Sequence, residues 1–187
     1  SFALIIGMLP AAVAATNGIY SDVSDDAWYA KEVQYVTDNG LMNGVGGDLF
    51  APDVYVTRGM LVTILYRMSG SPEVDADINF IDVEPDEWYT EAIRWAAANN
   101  IVNGYYDGTF LPKADICREE TATILYRYVN YLGLSTETDN LLGSYPDAGK
   151  ISDWAYDSFV FVNAAGIITG MDTGLLDPRE GTTRAQV

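Results

Sequence analysis

Ile116-Cys117-Arg118-Glu119-Glu120 reads as the opening turn of a helix, and the chain writes that opening three times. Its counterparts are Val56-Thr57-Arg58-Gly59-Met60 and Thr182-Thr183-Arg184-Ala185-Gln186. Each arginine follows a proline by six residues: Pro52, Pro112 and Pro178. Ten Lys and Arg stand against twenty-seven Asp and Glu, a formal charge of −17. An arginine held at one repeat position three times in so acidic a chain needs a chemical reason.

Outward from these openings the register continues. Trp28, Trp88 and Trp154 lie 60 and 66 residues apart, and sixteen residues after each comes Gly44, Gly104 or Gly170. Before each Trp stands an aromatic-x-Asp group: Tyr20-Ser21-Asp22, Phe80-Ile81-Asp82 and Tyr145-Pro146-Asp147. Units of this length cannot bury their apolar faces alone and must pack on one another.

Each unit reads as helix, loop, helix. In the first helices Tyr29, Val33 and Val36 share a face, as do Tyr89, Ile93 and Ala96, then Phe159 and Val162. Asp25 or Asp26 is the expected N-cap of the first. Asn39-Gly40, Asn99-Asn100 and Gly166 are the expected stops. The second helices start at the arginine motif, where Thr57 and Thr183 cap well and Thr183 with Gln186 makes a capping box. Cys117 caps poorly, though Glu120 is suitably placed. The apolar side is Leu61, Ile64, Leu65 and Met68 in the first copy and Thr121, Ile124, Leu125 and Tyr128 in the second. The fold class predicted is all-α: three pseudo-symmetric helix-loop-helix repeats.

Composition excludes several function classes. Binding nucleic acid needs Lys and Arg to neutralise phosphates, and the charge runs the other way. Polybasic contact with a membrane is disfavoured for the same reason. There is no histidine, so the commonest general base and metal ligand is missing. The single Cys117 forms neither an internal disulfide nor a zinc site, and reads as a small filler at a helix start. No metal and no cofactor is expected.

Residues 1–15, SFALIIGMLPAAVAA, read as the tail of a secretion signal, with Ala12-Val13-Ala14 as its cleavage motif. The organisation expected is this truncated signal, repeat 1 over 20–69, a linker at 70–79 and repeat 2 over 80–132. A linker at 133–144 and an incomplete repeat 3 over 145–187 follow. The third copy reaches Val187 without the Leu-Tyr-Arg segment seen at Leu65-Tyr66-Arg67 and Leu125-Tyr126-Arg127, so the chain reads as a fragment at both ends.

These residues resemble the S-layer homology family, over 20–187. The likeness rests on the aromatic-x-Asp group, the Trp, an Asn103-Gly104 pair, the turn Asp107-Gly108-Thr109-Phe110-Leu111-Pro112, and the arginine motif, best matched by Thr183-Arg184-Ala185-Gln186. Departures are Gly59-Met60 where Ala-Glu is usual, Cys117 for Thr, and Thr169-Gly170 for Asn-Gly. The resemblance implies three lobes packed around central helices. It also implies non-covalent anchoring of an exported protein to pyruvylated secondary polysaccharide of a bacterial cell wall. In the family the grooves lie between lobes, where the motif arginine faces the pyruvate carboxylate with help from the Asp, Trp and Gly positions. Surface-layer self-association accompanies that reading.

The residues alone leave two roles open at each position. Arg58, Arg118 and Arg184 present a fork that matches a carboxylate, at a helix start whose amides also favour an anion. Internal salt bridges, such as Arg118 to Asp82 or Glu119, are the alternative. Trp28, Trp88 and Trp154 stack a sugar or anchor packing. Asp22, Asp82 and Asp147 accept from sugar hydroxyls or from turn amides. Gly44, Gly104 and Gly170 admit a ligand or satisfy a turn. Adjacent acids such as Glu119-Glu120 do not face one another across a sugar, so no catalytic residue is assigned. The rivals are a self-assembling or protein-binding scaffold, using tyrosines such as Tyr105-Tyr106, and an anchor whose enzyme domain lies elsewhere.

Overall fold

A computed structural model describes residues 20–134 and 138–187, so the expected signal over 1–15 lies outside the described residues. Five α-helices follow in order: α1 (Ala30–Asp38), α2 (Arg58–Met68), α3 (Thr90–Ala98), α4 (Arg118–Tyr131) and α5 (Tyr156–Ala164). Three single 3₁₀ turns, Leu142–Ser144, Ala148–Lys150 and Asp153–Ala155, lead into α5. Among the described residues there are isolated bridges and no sheet, as the all-helical reading expects. None of these helices is long and apolar enough to cross a membrane.

The helix stops obey local chemistry. Gly40 (φ +64°), Asn100 (φ +57°) and Gly166 (φ +71°) all turn into the left-handed region after α1, α3 and α5. The start of α1 differs from expectation. Asp25 and Asp26 do not cap it; the helix begins one turn later, after Tyr29, with no side-chain cap. A backbone turn takes their place, Ala27 N donating to Ser24 O and Ala30 N to Ala27 O. At the second helices the expected caps form. Thr57 Oγ1 accepts from Met60 N at 3.3 Å, and Glu120 Oε2 accepts from Cys117 N at 3.1 Å. The third expected second helix does not form: 184–186 is a turn, in which Gln186 Oε1 accepts from Thr183 N at 2.9 Å.

Packing joins one copy to the next. Leu61, Val62 and Leu65 of α2 pack with Ile93, Trp95 and Ala96 of α3 and with Ile124 and Tyr128 of α4. Ala122 on another side of α4 meets Phe159, Phe161 and Val162 of α5. A smaller cluster of Val33, Met42, Phe50 and Ile64 ties α1 to α2. Each Val, Leu, Ile, Phe or Met among them contributes roughly 1.5–3 kcal/mol when withdrawn from water. Met68, expected on the apolar side of α2, is exposed instead, at the helix's last residue.

The three strands of chain that precede the arginines meet at the centre. Val56 N donates to Thr182 O (2.8 Å), Thr182 N to Ile116 O (2.9 Å), and Ile116 N to Val56 O (2.9 Å). These three bonds close a ring, one residue from each copy, around a point where Val56 and Ile116 are fully buried. The ring fixes where Arg58 and Arg118 start α2 and α4, and places Arg184 on the equivalent turn.

Candidate functional site

From that ring each arginine opening is handed to a neighbouring copy. Arg58 N and Gly59 N donate to the carbonyls of Ala114 and Pro112. Arg118 N and Glu119 N donate to Glu180 and Pro178, and Arg184 N and Ala185 N to Val54 and Pro52. The first amides of these turns are therefore spent within the protein. The expectation that they present unpaired N–H groups to an anion is corrected: a proline carbonyl from another copy has already reached them.

The side chains run the same way around. Arg118 Nε donates to Leu176 O (2.7 Å) and its NH2 to Thr169 O (2.7 Å). Arg184 Nε donates to Phe50 O (2.8 Å) and its NH2 to Asn43 O (2.7 Å). Arg58 Nε donates to the equivalent carbonyl, Phe110 O, at 2.8 Å. Its second bond differs: NH1 meets Glu120 Oε1 at 2.9 Å in an ion pair. Glu120 also accepts from Tyr105 Oη at 2.6 Å. The rings of Tyr105 and Phe110 lie 4.7 and 4.8 Å from the Arg58 guanidinium. Phe50 covers Arg184 in the same manner at 4.5 Å.

The three arginines are thus alike in backbone and unlike in charge. Among the described residues neither Arg118 nor Arg184 has a carboxylate within salt-bridge distance, and the expected alternative pairs of Arg118 with Asp82 or Glu119 do not form. Instead Glu119 accepts from Ser152 N and Oγ. Burial pulls the guanidinium pKa of both Arg118 and Arg184 below its ordinary value, since desolvation disfavours the charged form. At Glu120 burial pushes the carboxyl up, but the Tyr105 hydroxyl, the Cys117 amide and Arg58 outweigh it and leave it low. Tyr105 is itself pushed up to about 12 by burial and by its bond to Glu120. Burial raises the Cys117 thiol to about 11, so it is not a nucleophile at neutral pH.

The aspartates do one thing three times. Asp22 accepts from Phe50 N and Ala51 N, Asp82 from Phe110 N and Leu111 N, Asp147 from Leu176 N and Asp177 N, all between 2.7 and 2.9 Å. Each carboxylate ties down the turn whose carbonyl holds a motif arginine. Gly44, Gly104 and Gly170 have ordinary φ, so the turn-geometry reading of them is corrected. A Cβ on Gly44 would lie 2.5 Å from the Tyr20 ring, and one on Gly170 2.5 Å from the Tyr145 ring. On Gly104 it would meet the Phe80 ring and Thr109 O. The leading aromatic ring of each copy occupies the space a Cβ on its glycine would need.

The tryptophans are on the surface: Trp28, Trp88 and Trp154 are 70, 54 and 58 % exposed. Trp28 and Trp88 stand edge-on to the neighbouring tyrosines, Tyr29 and Tyr89. Their outer faces are open to a flat apolar partner.

Two clefts include these residues. The larger, about 670 Å³, sets Trp154 among Lys150 and Arg179 with Asp153, Asp177 and Glu180, and no motif arginine lines it. The smaller, about 220 Å³, draws on all three copies: Leu41 to Asn43, Met60, Thr63, Ile64 and Arg67 from the first, Trp88 from the second, Arg184 from the third. Two guanidiniums and an exposed indole line it, and no carboxylate does. That chemistry suits the smaller cleft to an anion. Sequence reasoning passed over Arg67, and took Tyr105 only for an exposed scaffold residue rather than a partner of Glu120. The Leu-Tyr-Arg segment was visible, but only its apolar side was read.

The chain matches the family model described as "S-layer homology domain" three times, over 19–59, 79–122 and 144–187. It is 32 % identical over 95 % of its length to a Surface-layer 125 kDa protein of Lysinibacillus sphaericus, covering 15 % of that protein. It is 29 % identical over 78 % of its length to a Cellulosome-anchoring protein of Acetivibrio thermocellus, covering 33 % of it. An Endoglucanase of a Bacillus species is 27 % identical over 89 % of this chain and 18 % of that enzyme. The chain thus spans a third or less of the length of these relatives.

Proposed function

Since the chain belongs to the S-layer homology domain family, we propose that it anchors an exported protein non-covalently to the bacterial cell wall. Its ligand is pyruvylated secondary cell-wall polysaccharide, taken into grooves between copies. The relatives named as surface-layer and anchoring proteins support placement at the wall, and one relative named as an enzyme is mostly chain outside the matched region. The residues here act as the holding module and not as a catalyst.

The observation that carries the reading is the Arg184 cleft. A guanidinium held rigid by the carbonyls of Phe50 and Asn43, without an internal carboxylate, lines a cleft beside an exposed indole. Arg184 supplies charge-assisted bonds to a ketal carboxylate, and Trp88 an apolar face for the sugar ring. Arg118, likewise without a carboxylate, offers a second such group beside the turn of the third copy. Several sites on one chain, meeting a polymer with many acidic ends, add avidity without new contacts. Asp22, Asp82, Asp147 and the three glycines serve this ligand by fixing the turns that hold the arginines.

A sedimentation assay on purified walls tests the proposal. The chain should pellet with native walls and stay in solution once mild acid has removed the ketals. Retention on stripped walls would favour the scaffold reading and end this one.

A further inference from the structure

The Arg184 cleft holds a second guanidinium, that of Arg67, from the C-terminal end of α2. Arg67 NH1 donates to Leu41 O at 2.9 Å, so its position is set by backbone, as Arg184's is by Phe50 and Asn43. Carbonyls orient a cation without cancelling its charge. Both guanidiniums line one small cleft, and an anion seated there is attracted by both. None of the lining residues supplies one.

The molecule contains its own comparison. Arg58 has a second arginine nearby too: Arg127, at the position of Arg67 one repeat later, close enough for the charges to repel. There Glu120 provides the missing carboxylate. The residue in Glu120's register in the Arg184 cleft is Met60, which brings no charge. One arginine pair holds a bonded carboxylate; in the other, Asp22 acts on Arg184 only from beyond salt-bridge distance, its oxygens taken by the amides of Phe50 and Ala51.

We infer that Arg67 is a second anion-holding residue of the Arg184 cleft, closing with Arg184 on the acidic end group of the bound glycan. This rests on the reading of that cleft as the ligand site, and it makes the Arg58 position, sealed by Glu120, a structural clasp. Arg67 is exposed, so its substitution leaves the fold in place.

The test titrates the full chain with two probes: a methyl glycoside bearing a carboxylate-containing cyclic ketal, and its neutral methyl ester. Arg67→Gln should weaken binding of the acid about tenfold or more and leave binding of the ester unchanged, while melting as the parent chain does. Arg67→Lys, which keeps the charge and loses the fork, should fall between. Equal loss for acid and ester, or no loss for either, overturns the role of Arg67. Unchanged binding in Arg184→Gln, or no binding of the acid by the unaltered chain, overturns instead the reading of the cleft, and Arg67 with it.

Discussion

Gly104 shows how a single missing methyl organises a copy. The Phe80 ring lies where its Cβ would stand, and Thr109 O would be 2.6 Å away. Phe80 also packs on Phe110, whose carbonyl holds Arg58. Gly104→Ala must push either the ring or the turn aside, a cost of about 1–3 kcal/mol, and urea denaturation should show that loss. Asp147 stabilises the same turn in the third copy through two amides. Burial raises its carboxyl, those amides lower it further, and the net pKa falls below the ordinary 3.8; Asp22 behaves alike. A depressed folded pKa means stability that is complete above about 3.8 and lost as pH drops through the lower, folded value. Melting temperature should therefore fall below that pH. In Asp147→Asn it should begin lower and fall less steeply with acid.

At the scale of elements, the N-terminus of α4 does two jobs with one side chain. Glu120 caps Cys117 N with one oxygen and holds Arg58 and Tyr105 with the other. Glu120→Ala removes the cap and leaves the buried Arg58 unpaired, costing about 1–3 kcal/mol. Glu120→Gln keeps one acceptor oxygen for Arg58 and Tyr105 and loses the charge and the cap on Cys117 N, so its loss should be smaller than that of the alanine. Chemical denaturation of the two variants beside the parent gives the order. The helix stops were legible because Asn39-Gly40, Asn99-Asn100 and Gly166 carry their conformational preference in the residue itself. The start of α1 was not, since a backbone turn over 24–27 competes with Asp25 and Asp26 and leaves no mark in composition. The Arg58–Glu120 pair was illegible for another reason. It spans two copies, and helical periodicity reports only on residues of one helix.

For the whole molecule the sequence register gave three equivalent openings, and the structure makes them members of one ring. Val56, Ile116 and Thr182 bond head to tail, and each arginine reaches the turn of another copy. No copy completes its own site, which is why reading the units singly showed the arginines and not what they touch. The same closure concentrates charge. On the proposed reading a chain of −17 repels an anionic polymer at range, while Arg67 and Arg184 would attract it within a cleft lined by no carboxylate. Salt acts on both terms with opposite sign. The long-range repulsion between exposed charges is screened beyond a Debye length of about 8 Å at 0.15 M. The contact with Arg184, whose guanidinium is largely buried, is screened much less. Wall binding measured from low salt to about 0.3 M should therefore change by less than about threefold, and repulsion relieved first should hold the early points level or raise them. A basic protein gripping phosphates would lose orders of magnitude over that range. A loss of that size here would mean that diffuse surface charge, and not the cleft, holds the polymer.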